Sequence, residues 1–146
     1  MKRICSILVT ILMCGSFISC EKTGFSLNWE EGIWCLTSEK DYETGQLHDA
    51  RNDILWYWEL SNGFFTYYEL CNYDDGATYN DGVLTTPKNA NWTKALEGKY
   101  TLEDGRLLVS DMVMYHFTKL SKDKVKLDDS TILAEGIAER VKKINY

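Results

Sequence analysis

The chain has 146 residues, of which 16 are Lys or Arg and 22 are Asp or Glu, so its formal net charge is −6. A chain this acidic carries no net positive field, which excludes general binding of nucleic acid or of an anionic membrane surface by the molecule as a whole. The length suits one domain. The single proline and the 13% aromatic content indicate a compact, strand-rich fold, because aromatic side chains favour strands.

The first twenty residues have the pattern of an export signal. Lys2 and Arg3 precede an apolar run over residues 4–18, and Ser19 and Cys20 follow it. A short basic start, an apolar core and a small residue at the end are the parts of a secretory signal. The apolar run is shorter than the roughly 20 residues that span a bilayer. The Ser-Cys ending resembles the lipobox of bacterial lipoproteins, in which the cysteine becomes the lipidated first residue of the mature protein.

This resemblance implies a signal peptide over residues 1–19, lipid attachment at Cys20 and a tether over residues 20–30. The implied location is the cell envelope, with a lipid anchor in the outer membrane on either its periplasmic or its external face. Loss of residues 1–19 leaves 14 basic and 22 acidic side chains, a net charge of −8. We therefore expect membrane attachment to come from the lipid.

From residue 31 onward, alternating apolar and polar residues separated by turn signals predict a series of strands. The clearest element is a hairpin over residues 53–71, because Asn62-Gly63 separates two aromatic runs and both residues tolerate the positive φ of a type I′ turn. In its first strand, Trp56 and Trp58 share a face. Strands at this spacing favour an all-β barrel or sandwich. The predicted strands are 32–38, 53–60, 64–70, 95–102, 106–109, 112–120 and 124–127, with a short one near 83–86.

Three segments have weaker patterns. Residues 41–52 are polar and predict a loop. Residues 72–91 predict a second, longer loop, and structureless segments of that length are often functional or mobile. The apolar spacing over residues 132–144 suits a helix, whereas residues 140–144 suit a closing strand. We favour the strand, since closure of an eight-stranded barrel leaves no unpaired edge.

Four short motifs follow one another along the chain. They are Gly32-Ile33-Trp34, then residues 60–65 around Asn62-Gly63, then residues 98–102 before Asp104-Gly105, and last residues 115–127. Their order and spacing resemble the lipocalin-like lipoproteins common in Bacteroidetes, over about residues 31–128. The resemblance implies a small antiparallel up-and-down barrel of about eight strands over residues 31–146, with Trp34 closing its base. It implies no substrate.

No motif predicts an enzyme. His48 and His116 have no Cys, His or carboxylate neighbour at metal-ligand spacing. A Gly-x-Ser-x-Gly elbow and a glycine-rich phosphate loop are missing from the sequence. The acidic turn at residues 72–76 has the oxygens and the glycine of a calcium loop but not its terminal glutamate. We therefore expect no catalytic residue, no metal site and no cofactor.

The surplus of aromatic residues leaves two functions open. The first is a non-enzymatic binding protein that takes a small apolar or aromatic ligand in the barrel mouth. Its candidate lining residues are Trp34, Trp56, Trp58 and Tyr67. The alternative is a protein-interaction module, such as an inhibitor or a surface-complex subunit, that uses Tyr73 and Tyr79 of the 72–91 segment. An open apolar cavity would favour the ligand, and a filled interior would favour the protein partner.

Cys35 and Cys71 are the two cysteines beyond Cys20. Exported proteins mature in an oxidising setting, where such a pair can form a disulfide. Closing this loop would stabilise the fold by roughly 4 kcal/mol in the chain-entropy model. The alternative is two free thiols, which we slightly favour because nothing in the sequence brings these positions together.

Overall fold

The computed structural model describes residues 29–128 and 134–146. The predicted signal peptide, the lipidated Cys20 and residues 20–28 of the tether lie outside the described residues. Within the described ranges, every regular element is a strand, and no helix is long and apolar enough to cross a membrane. The strands are β1 (Gly32–Lys40), β2 (Leu47–Asp49), β3 (Trp56–Ser61), β4 (Phe64–Cys71), β5 (Thr78–Asn80), β6 (Val83–Thr85), β7 (Asn91–Glu103), β8 (Arg106–Val109), β9 (Met112–Ser121), β10 (Lys124–Asp128), β11 (Gly136–Val141) and β12 (Lys143–Asn145).

Eight strands form a closed antiparallel barrel. Neighbouring strands run in the order β1, β3, β4, β7, β8, β9, β10 and β11, and β11 pairs with β1 to close the ring. β2 is a ninth strand, added to the second half of β1. The predicted all-β, eight-stranded up-and-down barrel is confirmed.

The central hairpin forms as its turn sequence predicts. Asn62 and Gly63 both have positive φ, 52° and 78°, which suits the twist of a two-residue hairpin. Trp58 pairs with Tyr67 and Leu60 with Phe65, so these four side chains share the inner face of the barrel. The first strand begins at Trp56 and not at residue 53, because Ile54 forms a bridge with Ala77 instead.

The two ends of the barrel differ. We call base the end that carries the β3–β4, β7–β8 and β9–β10 turns, and mouth the end that carries the β1–β2, β8–β9 and β10–β11 connections. At the base, the Arg140 guanidinium lies over the Trp34 ring, 4.4 Å from its centroid, and donates a hydrogen bond to the Glu31 carbonyl oxygen. Its Nε lies 3.2 Å from an oxygen of Asp123. Trp34 and Arg140 together therefore close the base.

The prediction of a long loop over residues 72–91 is wrong except for the short strand expected near 83–86, which is β6. β5 and β6 form a hairpin within it, and β12 adds to β6 in parallel as a third strand. This small sheet covers the outer face of β1, β3 and β4. The Tyr79 hydroxyl donates to the Arg140 carbonyl at 3.1 Å, which ties the hairpin to the closing strand. The apolar cluster between the small sheet and the barrel wall comprises Cys35, Ile54, Tyr57, Leu70, Ala77, Tyr79, Leu84 and Val141.

Two further elements differ in extent from the sequence prediction. Residues 41–52 are not wholly a loop, since they contain β2. The C-terminal strand is confirmed, but it starts at Gly136 rather than at residue 140, and residues 143–145 form the separate strand β12. The helical alternative is wrong for residues 136–145, because β11 gains its hydrogen bonds from β1 and β10. Residues 129–133 lie outside the described residues.

An ionic cluster joins β11 to its neighbours on the outer face. The Glu139 carboxylate accepts from Arg51 Nη2 at 2.6 Å and from Thr37 Oγ1 at 3.1 Å, and Lys124 Nζ lies 3.4 Å away. Burial alone raises the pKa of Glu139. The hydrogen bonds from Arg51 and Thr37 and the Lys124 charge outweigh that effect, so its pKa lies below its ordinary value.

We predict that Glu139→Gln flattens the acid side of the stability profile. A carboxyl whose pKa is lower in the folded state adds stability above its unfolded-state pKa, and that stability disappears as the pH falls through the folded-state pKa. Urea unfolding at a series of pH values, from neutral down past about pH 4, measures this. The native protein should lose more unfolding free energy on acidification than the variant. Glu43→Gln, in the exposed β1–β2 turn, is the control and should keep the native slope.

Candidate functional site

The interior of the barrel is occupied by its own aromatic side chains. Ring centroids of Trp58 and Tyr115 are 5.8 Å apart, those of Trp58 and Phe117 6.5 Å, and those of Trp34 and Phe117 6.1 Å. Trp34, Trp58 and Tyr115 expose none of their surface. A water-sized sphere therefore cannot touch them from the outside or from an enclosed void. The part of the barrel interior around Trp34, Trp58 and Tyr115 is therefore filled by protein side chains.

The four predicted lining residues form one aromatic column. Trp34 and Trp58 lie in the filled interior, and Trp56 and Tyr67 continue the column towards the mouth. Trp56 lies 5.6 Å from Trp58 and 5.8 Å from Tyr67, between ring centroids. Trp56 is half-buried, and burial raises the pKa of Tyr67. The structure thus brings the four together, while their role in ligand binding stays a prediction.

Two polar atoms in the column have no acceptor among the described residues. The Trp58 Nε1–H and the Tyr115 hydroxyl are both buried, and neither donates to any described group. Burial raises the pKa of Tyr115 well above its ordinary value, so its hydroxyl stays protonated and able to donate. Buried donors usually find a partner, and indole can only donate.

The mouth is ringed by exposed apolar side chains. The described residues expose eight large apolar side chains, and five of these lie at the mouth. One belongs to the β1–β2 connection, one begins β2, one follows β4, one lies in β7 and one begins β9. They are Tyr42, Leu47, Tyr73, Leu96 and Met112.

The shortness of β8 explains part of this exposure. β8 pairs with β7 only over Tyr100–Glu103, so among the described residues the half of β7 nearer the mouth, Asn91–Gly98, has β4 as its sole strand neighbour. Leu96 pairs with Tyr67 and faces the same side of the sheet, yet it is exposed. Sequence reasoning singled out only Tyr73 from the ring. The usable signal was the length of the predicted 106–109 strand, half that of the 95–102 strand before it.

Clefts near the mouth are small. One beside Trp56, bordered by Leu36 and Ile54, has a volume of about 20 Å³, room for about one water. Another, between Leu47 and Leu127, has about 170 Å³. Larger clefts of about 400 and 440 Å³ lie on either side of Leu108, on the outer face of β7, β8 and β9. Pockets for small molecules usually exceed about 300 Å³, so the clefts beside the column are too small for most ligands.

Other candidate residues from the sequence lie elsewhere. Tyr79 is buried under the small sheet, so it is not available to a partner, whereas Tyr73 is exposed. His48 is exposed in β2, 4.0 Å from Glu39, and His116 is half-buried in β9. Across residues 29–128 and 134–146, no three His, Cys, Asp or Glu side chains are grouped so that they could hold a metal ion.

The disulfide between Cys35 and Cys71 does not form. Both thiols are free, Cys35 buried and Cys71 half-buried. β3 lies between β1 and β4, so two interstrand spacings, roughly 10 Å, separate the strands that carry them. A disulfide needs its Cα atoms within about 7 Å. Burial raises the pKa of the Cys35 thiol, with the Glu139 charge adding to the effect, which makes it an unreactive core residue.

Comparisons of this chain with protein families, with curated proteins and with solved structures find no match.

Proposed function

We propose that this protein is a lipid-anchored, non-enzymatic protein-interaction module of the lipocalin-like type, held in the cell envelope through Cys20. Its partner would bind at the barrel mouth. The observation that carries the proposal is the position of the exposed apolar side chains, five of eight of which surround one end of the barrel. Clustered apolar groups on a surface are characteristic of interaction sites, and aromatic ones serve as anchors.

The filled interior supports a protein partner over a small ligand. Trp34, Trp58 and Tyr115 leave no space next to their rings, so recognition falls to the outer end of the column and the residues around it. The segments that surround the mouth, 38–53, 71–78, 86–91, 109–112, 126–128 and 134–136, carry ten acidic and four basic side chains. A complementary partner would present apolar pockets within a basic rim.

Photo-crosslinking in the native envelope tests this proposal. A photoreactive residue at Leu47 or Met112 should give a discrete crosslinked protein, because both positions lie in the mouth ring. The same residue at Phe64 or Leu120, of similar exposure but at the base, is the matched control and should not give that product. Tyr42→Ser should reduce the mouth product. Equal products from both ends, or none from the mouth, would contradict the proposal.

Lipid attachment at Cys20 is tested by a separate measurement. Mass spectrometry of the membrane fraction should find an acylated N-terminal Cys20, since the basic start, the apolar run and Ser19 direct processing to that residue. A chain that keeps Met1, or a mature form that is soluble, would contradict the anchor and leave the mouth test unaffected.

A small apolar ligand with an acceptor oxygen is the second candidate, and the unpaired Trp58 and Tyr115 donors favour it. Its entry would require Trp56 and Tyr67 to move aside. An uncharged probe such as a fatty-acid methyl ester should then change the tryptophan emission on titration. Tyr115→Phe should weaken binding by about threefold to tenfold, the effect of one hydrogen bond. Equal affinity in native protein and variant would count against this candidate.

A further inference from the structure

We propose that the base of the barrel is a lipid-contacting surface, which rests on anionic head groups and turns the mouth away from the membrane. This inference rests on the proposed lipid anchor and adds the orientation of the domain and the chemistry of its contact. The lipid at Cys20 would hold the protein at the membrane, and the base would decide which end faces it.

The charges of the chain are divided between the two ends of the barrel. The segments that form the base, 30–31, 61–64, 81–82, 103–106, 119–124 and 140–143, carry seven basic and six acidic side chains, so this end is close to neutral. The mouth segments are strongly acidic. Electrostatic attraction is screened over about 8 Å at physiological ionic strength, which is less than the length of the barrel. An anionic surface is therefore repelled by the mouth and not by the base, although the whole molecule is acidic.

The basic residues of the base lie together around one exposed leucine. Lys119 and Lys122 flank Leu120, which is 49% exposed, and Lys142 lies beside them across Asp123. The Asp123 carboxylate is already paired with Arg140 at 3.2 Å and with Lys142 at 3.5 Å, so it offsets little of the remaining charge. Lysines with an adjacent apolar side chain match a membrane interface, where the ammonium groups meet phosphate and the apolar group enters the head-group region.

The attachment point of the chain supports the same orientation. Glu31 lies at the base, where its carboxylate accepts from the Asn62 amide at 3.1 Å and its carbonyl from Arg140. Eleven residues along the chain separate Cys20 from Glu31, a span of at most roughly 40 Å when extended. A tether this short keeps the base near the bilayer at a high effective concentration, so a weak surface attraction is enough to orient the domain.

Lysine footprinting of the acylated mature protein tests the orientation. The protein is incorporated into vesicles of phosphatidylcholine alone or with added phosphatidylglycerol, and an amine-acetylating reagent is followed residue by residue by mass spectrometry. Lys122 and Lys142 should react about fivefold more slowly in the anionic vesicles, the factor that corresponds to the attraction of one lysine to such a surface. Lys88, exposed near the mouth, should react equally in both. High salt should remove the protection.

Matched pairs of variants show whether the protection depends on the lysines of the base or on lysine charge anywhere in the domain. Lys119→Gln with Lys122→Gln should abolish the protection of Lys142, whereas Lys88→Gln with Lys94→Gln should leave it. Equal labelling of both ends, or protection of Lys88 in place of Lys122, would overturn the orientation while the anchor stands. Protein that fails to remain with the vesicles at all would contradict the anchor itself, and the orientation would fall with it.

Discussion

Replacing Trp58 with alanine should lower the unfolding free energy by about 3–5 kcal/mol, the largest expected loss from a single side chain in this domain. Trp58 exposes no surface, and its ring touches those of Trp56, Tyr115 and Phe117. The substitution would leave a cavity that the rigid wall of the barrel cannot close, so its aromatic neighbours would lose contacts on one side. Chemical denaturation of the purified domain measures the change.

Glu59→Ala is the matched control. Glu59 is the next residue of β3 and points to the outer face, opposite Thr66 and Ile33. Its replacement should change the unfolding free energy by no more than about 0.5 kcal/mol. Similar losses for the two variants would mean that the inward and outward positions of β3 are assigned wrongly.

Gly136→Ala should have the second largest effect, a loss of about 2–4 kcal/mol. Gly136 begins the strand that closes the barrel and has φ +155°, where a side chain is disfavoured. A Cβ at this position would also overlap the Ser38 carbonyl of β1. The clashing atom belongs to the backbone and cannot rotate away, so β1 and β11 would have to separate to remove the overlap. The pairing of these two strands is what closes the barrel.

Gly45→Ala isolates the backbone part of that cost. Gly45 also has a positive φ, +71°, but no atom lies within 4 Å of the position a Cβ would take. Its substitution should cost only about 1 kcal/mol, the penalty of the left-handed conformation. Thermal or urea unfolding of both variants gives the comparison. If Gly136→Ala cost no more than Gly45→Ala, the close approach of β11 to β1 would be incorrect.

Local patterns were sufficient to predict seven of the eight barrel strands, whereas the closing strand was expected at 140–144 and lies at Gly136–Val141. Asn62-Gly63 defined a hairpin, and alternation placed Trp58 inside, because turn conformation and side-chain period are properties of a few consecutive residues. Of the small outer sheet, only the strand near 83–86 was predicted, and its pairing with β5 and β12 was not. β5 and β6 have three residues each, and they are strands because Tyr79 and Leu84 bury themselves against a wall formed by distant residues.

The candidate site was only partly predictable for the same reason. Trp34, Trp58 and Tyr67 are paired across neighbouring strands, and Trp56 lies two residues before Trp58 on the same face, so alternation alone was enough to group the four. Tyr115 and Phe117 project from β9, on the opposite wall of the barrel, and they decide whether a cavity remains beside the column. The mouth ring depends on where each strand ends relative to its neighbours, which no single segment encodes. Tertiary packing therefore decided both the filled interior and the exposed rim.

The outer sheet also makes the barrel mechanically unequal around its circumference. β1 and β3 are clamped between two apolar layers, so that Tyr57 and Trp58, neighbours in sequence and opposite in direction, are both buried. The half of β7 nearer the mouth lacks that second layer over Thr93–Glu97, which are all exposed. Backbone amides should accordingly exchange with solvent slowly in β1 and β3 and quickly in this part of β7. If the mouth ever widens, β7 is the strand that would bend.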